Sequence, residues 1–227
     1  MGLLRKTFCT GLLGVSASAT CLAYLAAKNP VVAPLPASDP LWKSRLFYSR
    51  NPARNTPTSD VCIRRIPLSK IRPELLQKDG ELAVEFCRGI WSGWGYAIQR
   101  MYLEFKWKGP ETLQQLWSTE QLAESRYDKG TRITDHFEVV EKTASSITVR
   151  CGDSPRNQGP RPSDGLFVMT ATVDKQRDEV ELQLKSCLFP SSGSHTGPRG
   201  PMPAWMEELH QWYARIWCET ASWKLMI

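Results

Sequence analysis

The chain has 227 residues, of which 41% are hydrophobic, 10% aromatic and 23% charged, and its formal net charge is +6. This composition excludes a wholly disordered protein, because enough apolar surface is available to offset the entropy lost on folding. Collagen-like and coiled-coil proteins are excluded as well, since the chain has neither a glycine period nor a sustained heptad. The length allows one domain of ordinary size with a tail, or two small domains.

The first predicted element is a membrane-spanning helix. Residues 8–27 form a run of twenty uncharged residues, and about 20 apolar residues are enough to cross a bilayer as a helix. We therefore predict residues 1–27 as the anchor of a single-pass protein of the endoplasmic reticulum or mitochondrial membrane, with its orientation open. A cleaved signal peptide ending near Leu25–Ala27 is one alternative. A mitochondrial presequence is another, since no acidic residue precedes Asp39.

Residues 28–59 are predicted as a proline-rich, basic linker. They contain six of the sixteen prolines, which favour an extended chain over packing. Between Lys43 and Arg54 there are four basic residues and no acidic one. Such a strip beside a membrane helix is attracted to anionic lipid by about 1 kcal/mol per residue, although it is equally consistent with a solvated linker. Four apolar side chains in the linker could dock on the domain or at the lipid interface: Trp42, Leu46, Phe47 and Tyr48.

The cysteines and the basic residues exclude two classes of partner. The seven cysteines include no C-x-x-C pair, so we predict no metal site and no disulfide framework. The basic residues are not interleaved with aromatics in the way of a nucleic-acid surface, so we predict no nucleic-acid partner. Five cysteines of the domain are predicted as buried free thiols: Cys62, Cys87, Cys151, Cys187 and Cys218.

The folded domain is predicted at residues 60–227 and begins with a strand at residues 60–66. A helical pattern follows over residues 73–107, and the closely spaced glycines at 89, 93 and 95 indicate a bend or a close backbone approach near Trp91 and Trp94. A shorter helix is predicted at residues 111–125. The hydrophobic period then changes to two and predicts two hairpins, over residues 131–152 and 165–189.

The last predicted element is a helix of about five turns that follows a Gly/Ser/Pro loop at residues 190–203. Its large apolar side chains recur at helical spacing, which predicts one buried stripe and makes this helix the centre of the core. The predicted stripe consists of Trp205, Leu209, Trp212, Ile216 and Trp223.

This order of elements, together with residues 133–141, 150–154 and 164–167, resembles the START-like helix-grip superfamily. That superfamily includes lipid-transfer domains, pollen-allergen-type ligand binders and polyketide cyclases. The resemblance covers residues 60–224 and implies an α+β fold in which a curved antiparallel sheet wraps around the long C-terminal helix, with an apolar cavity between them. The superfamily usually has more strands before that helix. The resemblance implies no catalytic residues, since chemistry differs from family to family.

The candidate catalytic residues are Asp135 and His210. If Ile133 and Phe137 face the core, strand alternation places Asp135 on the same side and His136 outside. An inward carboxyl would have a raised pKa and could act as an acid or base. A strand bulge or a hydrogen-bonded carboxylate at the strand end is the structural alternative. His210 lies at the edge of the helical stripe, where it could reach a ligand or be held by a structural hydrogen bond.

The candidate ligand-binding residues are four aromatics and one acid: Trp91, Trp94, Phe137, Trp212 and Asp164. The aromatics would shape an apolar site. Asp164 and Asp153 bracket a loop that carries Arg156 and Arg161, which could form a polar mouth to the cavity or a turn capped by the two acids.

The motifs of common enzyme classes are absent from the sequence: it has no G-x-S-x-G, no P-loop and no G-x-G-x-x-G. We therefore expect a membrane-tethered, cofactor-independent cyclase or isomerase that acts on a hydrophobic small molecule of secondary metabolism. The alternative is a lipid- or sterol-binding module without chemistry. The expected partners are a hydrophobic small molecule and membrane lipid.

Overall fold

The computed structural model describes residues 20–195 and 197–227. The fold is α+β, with a curved, fully antiparallel sheet of seven strands and a long C-terminal helix. The strand order in the sheet is β1-β2-β7-β6-β5-β4-β3. The strands are β1 (Val31–Val32), β2 (Thr58–Pro67), β3 (Arg132–Ile133), β4 (Phe137–Lys142), β5 (Ser146–Cys151), β6 (Asp164–Asp174) and β7 (Glu179–Phe189).

The described residues form six α-helices with defined bounds, of which the first lies between β1 and β2, the next four between β2 and β3 and the last after β7; residues 20–28 are helical as well. No helix within the described ranges is long and apolar enough to cross a membrane. Most of the predicted anchor lies outside those ranges, at residues 1–19. The helices are α1 (Arg45–Arg50), α2 (Glu74–Gln77), α3 (Glu81–Ser92), α4 (Trp94–Trp107), α5 (Thr119–Glu124) and α6 (Ala204–Ser222).

The three longest strands, β2, β6 and β7, lie next to one another in the sheet, and each contains a segment that the sequence predicted as a strand. Strands β6 and β7 pair from Asp164 opposite Phe189 to Asp174 opposite Glu179. Strand β2 extends the sheet on the other side of β7, again antiparallel. Every second residue of β7 from Val180 onward faces the helices, because side chains alternate along a strand.

Helices α3 and α6 cover one face of the sheet and enclose the main core. Their closest approach is at Gly89, where a methyl group would lie 2.7 Å from the carbonyl oxygen of Ala221. The chain then breaks at Gly93 and continues as α4. The predicted bend and close approach near these glycines are confirmed. The five cysteines predicted as buried free thiols are also confirmed.

The opposite face of the sheet is covered by the segment that the sequence predicted as a linker. β1 pairs with β2, and a second apolar cluster joins Leu35, Leu41 and Phe47 to Phe189 on β7. The Lys185 ammonium donates to the Asp39 carboxylate at 2.7 Å. The prolines of this segment therefore shape a packed layer, and the folded domain includes most of residues 28–59.

The predicted stripe of the C-terminal helix is wrong, although the helix itself is confirmed. Trp205 is 65% exposed and Leu209 is 61% exposed, and Trp223 is half exposed. The buried apolar residues of the helix are small ones and one tryptophan: Ala214, Trp217, Cys218 and Ala221. The physical reason is the close crossing with α3, which leaves room for small side chains and excludes a row of large ones.

Candidate functional site

A cavity of about 230 Å³ lies between the sheet and α6. Its apolar wall includes Phe137, Phe167 and Trp217. Seven further side chains of the sheet, the helices and one loop bring polar groups or a thiol to the cavity. These polar residues are Gln99, His136, Ser163, Ser186, His210 and Tyr213, with the thiol of Cys151. A mostly apolar cavity with a few convergent polar groups is the usual character of a small-molecule site.

The two histidines stand at the ends of a row of aromatic rings in this cavity. The ring of His136 contacts Phe137 with centroids 4.8 Å apart, and Phe137 lies 6.0 Å from Phe167. The ring of His210 lies 6.0 Å from Phe167 on the other side. A bound molecule would therefore lie against aromatic faces with an imidazole near each end.

His210 is oriented by a buried pair on neighbouring strands. Asp60 on β2 lies directly opposite Ser186 on β7, so both side chains face the helix. The Ser186 hydroxyl donates to Asp60 Oδ1 at 2.7 Å and lies 2.8 Å from His210 Nε2. His210 Nε2 also lies 3.4 Å from Asp60 Oδ2. Both partners meet the same ring nitrogen, which distinguishes this arrangement from a catalytic triad, where the serine and the acid bind different nitrogens.

The proton positions in this group follow from its contacts. When Asp60 is ionised, the single Ser186 proton goes to the carboxylate, so the proton between Ser186 and His210 must come from Nε2. A neutral His210 then carries its lone pair on Nδ1, which makes no hydrogen bond to any residue in the described ranges. This is the tautomer of a general base.

The environment shifts the pKa of Asp60, which lies beside His210, and the pKa of His136 in the cavity wall. Burial raises the pKa of the Asp60 carboxyl, and the lowering effects of His210 and of the Ser186 hydrogen bond are smaller. Burial lowers the pKa of His136, which favours its neutral form. A buried carboxyl with a raised pKa beside a histidine in a cavity is typical of a proton-handling site.

Tyr213 adds an unpartnered donor. Burial raises its pKa to about 12, so the phenol keeps its proton at neutral pH. Its hydroxyl has no hydrogen-bond partner among the described residues, and the indole N–H of Trp217 beside it donates to the Gly95 carbonyl at 3.2 Å. Tyr213 follows His210 by three residues on α6, so both side chains lie on the same face of the helix. An oxygen atom of a ligand would satisfy this hydroxyl.

Asp135 lies outside the cavity, contrary to the prediction from strand alternation. Thr134 and Asp135 have φ of 50° and 49°, in the left-handed region, and this conformation ends β3 at Ile133. The strand alternation is therefore interrupted, and the side chains of Asp135 and His136 point to the sides opposite to those predicted. The Asp135 carboxylate accepts hydrogen bonds from Gln115 and Ser154 and pairs with Arg156 at 2.9 Å. The strand-end carboxylate was the correct alternative, and His136 rather than Asp135 lines the cavity.

Phe137 is the one predicted ligand-binding residue that lines the cavity. Trp91 is buried in the core behind it, in contact with Phe137 and Trp217. Trp94 is exposed, with its ring beside Trp223, and Trp212 stacks on Arg215 at 4.7 Å. The three tryptophans therefore do not contact a molecule in the cavity.

Asp164 is a structural residue, not part of a polar mouth. Its carboxylate pairs with buried Arg150, which also binds the carbonyls of the following loop, while Arg161 binds three more loop carbonyls. The loop contributes to the cavity through its two ends, Gly152 and Ser163. Gly152 has φ of 98° and a methyl group there would lie 2.8 Å from the Ser163 carbonyl oxygen, so this wall requires glycine.

The sequence reasoning found His210 but missed Asp60, Ser186 and Tyr213. The available signal was in β7, where Ser186 is the one polar residue in an inward row that otherwise reads Val180, Leu182, Leu184 and Leu188. A polar residue in such a row needs a partner, and here the partner is on the neighbouring strand.

Comparison of the chain with protein-family models, curated proteins and solved structures finds no match.

Proposed function

We propose that this protein is a cofactor-independent isomerase or cyclase that binds a small hydrophobic molecule with a carbonyl or hydroxyl group in the cavity. The observation that carries the proposal is the group of Asp60, Ser186 and His210 next to the unpartnered hydroxyl of Tyr213. A base and a hydrogen-bond donor side by side in an apolar cavity are what proton transfer next to a carbonyl requires.

The proposed chemistry assigns each proton. Tyr213 donates a hydrogen bond to the carbonyl oxygen of the ligand, and His210 Nδ1 takes a proton from the carbon adjacent to the carbonyl group, which leaves an enolate on the ligand and an imidazolium on His210. Asp60 stabilises the imidazolium that results. Return of this proton from the imidazolium to a different carbon isomerises the ligand. Alternatively, attack of the enolate carbon on an electrophile within the same molecule closes a ring, and the imidazolium then gives its proton to the negatively charged oxygen of the product. His136, neutral at the other end of the aromatic row, is placed to accept or relay a proton there.

The size of the cavity supports a small ligand. A 150 Å³ apolar cavity holds benzene, so about 230 Å³ suits a molecule of one or two rings, below the 300–1,000 Å³ of drug-sized ligand pockets. The alternative of a sterol- or lipid-binding module is less well supported, because those ligands need more space and no acid–base pair.

The helix-grip architecture and the membrane tether are parts of the same proposal. A curved sheet around a C-terminal helix with a cavity between them is consistent with a START-like domain, although α3 also lies on the gripping face and the N-terminal segment forms an extra layer behind the sheet. The uncharged run of residues 8–27 supports a membrane tether.

The test is deuterium exchange into a two-ring ketone, 2-tetralone, in heavy water, followed by NMR. The wild-type protein should accelerate exchange at the carbon next to the carbonyl. His210→Gln should remove the acceleration, because glutamine cannot serve as a base.

Asp135→Asn is the control, since it removes another buried carboxylate that lies outside the cavity; its exchange rate per folded molecule should match that of the wild type. Saturation-transfer NMR measures binding in the same samples. Binding without exchange in the wild type would favour the non-catalytic module. Loss of exchange in Asp135→Asn, with His210→Gln active, would contradict the site.

A further inference from the structure

Helix α4 presents an apolar face to the outside of the molecule. Phe105 is 92% exposed and Ile98 is 81% exposed. Spacings of three and four residues place them on one side of the helix with other exposed apolar residues, while Tyr96 and Leu103 on the other side are buried. We define the α4 face as Trp94, Ile98, Met101, Tyr102 and Phe105.

A contiguous apolar helix face is unusual on a soluble monomer, where apolar residues are scattered over the surface. The composition of the α4 face matches a membrane interface, where tryptophan and tyrosine sit at headgroup level and other apolar side chains reach the acyl chains. Lys106 lies over the rings of Tyr102 and Trp107, at 5.6 and 4.8 Å. A cation at the border of an apolar helix face is suited to contact lipid phosphate.

The N-terminal apolar segment leaves the domain beside the same face. Asn29, immediately after the helical residues 20–28, donates from its side chain to the Glu219 carboxylate at 2.8 Å. The other oxygen of Glu219 accepts from the Trp223 indole at 3.2 Å. The ring of Trp223 lies 6.3 Å from that of Trp94, the first residue of the α4 face.

This connection is rigid. Glu219 is buried and also lies 3.7 Å from the Arg64 guanidinium, and Arg64 in turn donates to the Lys28 carbonyl. A bilayer that holds residues 8–27 would therefore meet the domain at a fixed place, next to Trp223 and the α4 face.

From these observations we propose that the α4 face docks on the lipid bilayer, which fixes the orientation of the domain at the membrane. The proposal concerns a surface and does not depend on the chemistry of the cavity. It does rest on the proposed tether of residues 8–27, and the two can fail separately.

The test uses the full-length chain in phosphatidylcholine vesicles with a fluorescent label at one cysteine. Cys9→Ser and Cys21→Ser remove the two N-terminal thiols. The other five thiols are buried, and burial raises the pKa of four of them. These buried thiols should therefore not react with the label. The labelled positions are Ile98→Cys and Phe105→Cys. Tyr48→Cys is the control, because Tyr48 is also an exposed large side chain of a helix but lies in the layer on the opposite side of the sheet.

Brominated lipid should quench the labels at 98 and 105 at least twofold and leave the label at 48 unchanged. Quenching at 48 alone would place the other side of the domain on the bilayer and overturn the proposal. Absence of quenching at 98 and 105 would also overturn it, whether the face is then found free or, in unlabelled Ile98→Cys protein treated with an oxidant of thiols, joined to a second copy through a disulfide. Carbonate extraction of the same protein tests the tether independently: release from the vesicles refutes the span, and retention without quenching refutes only the face.

Discussion

Trp217 should contribute far more to stability than Trp212, although both are tryptophans of the same helix. The Trp217 ring is 3% exposed and lies within 6.1 Å of four aromatic rings, those of Trp91, Tyr96, Phe167 and Tyr213. Trp212 is only partly buried, and within residues 20–195 and 197–227 its ring has a cation–π contact with Arg215 and no aromatic ring packed on it.

The magnitudes follow from this difference in packing. Truncation of a buried tryptophan to alanine costs about 3–5 kcal/mol, out of a typical domain stability of about 5–15 kcal/mol. Each kcal/mol corresponds to about 2–4 °C for a chain of this size, so Trp217→Ala should lower the melting temperature by roughly 6–20 °C. Trp212→Ala loses a cation–π contact of about 0.5–1 kcal/mol and a part-buried surface, and should shift it by only a few degrees.

The assay is thermal unfolding followed by near-ultraviolet circular dichroism on a chain that starts at Lys28. The two variants match in chemistry and helix, so their difference isolates burial. Equal shifts for Trp217→Ala and Trp212→Ala would refute the assignment of the buried face of α6. A negligible shift for Trp217→Ala would refute the cavity wall as well.

Three further outcomes are expected. A chain that starts at Asp60 should be several kcal/mol less stable in urea than one that starts at Lys28, because it lacks three buried apolar side chains at about 1.5–3 kcal/mol each; equal midpoints would contradict the packed N-terminal layer. Folding lowers the pKa of His136, so the neutral imidazole contributes its full stabilisation above about pH 6.5 and this stabilisation is lost as the pH falls below that value. Melting temperatures measured between pH 5 and 8 should therefore vary less in His136→Gln than in the wild type. Folding raises the pKa of Asp60. The contribution of this carboxyl to the stability of the folded state is therefore fully present below the pKa of the unfolded chain, near 3.9, and is lost as the pH rises through the pKa of the folded state. Asp60→Asn should therefore melt at the same or a higher temperature at pH 7, and a large decrease would contradict this reasoning.

Local patterns in the sequence predicted the strands well because strand alternation depends on near neighbours. β5, β6 and β7 all lie where the period of two placed them, within a residue or two. The exception is the edge at 131–141, where left-handed conformations at Thr134 and Asp135 interrupt the strand. Neither residue is a glycine, so the sequence carries no signal for that reversal.

Tertiary contacts decided the features that the sequence did not predict. The large side chains of α6 suggested its buried face, but the approach of Gly89 to Ala221 requires small residues there. The prolines of residues 28–59 suggested a linker, but Leu35, Leu41 and Phe47 found an uncovered sheet face to pack against. Both outcomes depend on where another element lies.

The site was only partly predictable for the same reason. His210 stood out because the chain has three histidines. Its partners Asp60 and Ser186 are 126 residues apart and meet only through the pairing of β2 with β7. The pairing of β2 with β7, the last strand of the chain, had to be known before Asp60 and Ser186 could be assigned to the same histidine.

Helix α4 connects the two proposals. Gln99 lines the cavity, and the preceding residue, Ile98, belongs to the exposed face. A helix with its side chains is about 10 Å across, so a bilayer in contact with the α4 face would lie about one helix diameter from the cavity. A hydrophobic ligand of one or two rings partitions into lipid, and such a site would draw it from the membrane without a long path through water. The tether, the docking face and the small aromatic cavity are then consistent with one task, the chemistry of a membrane-dissolved small molecule.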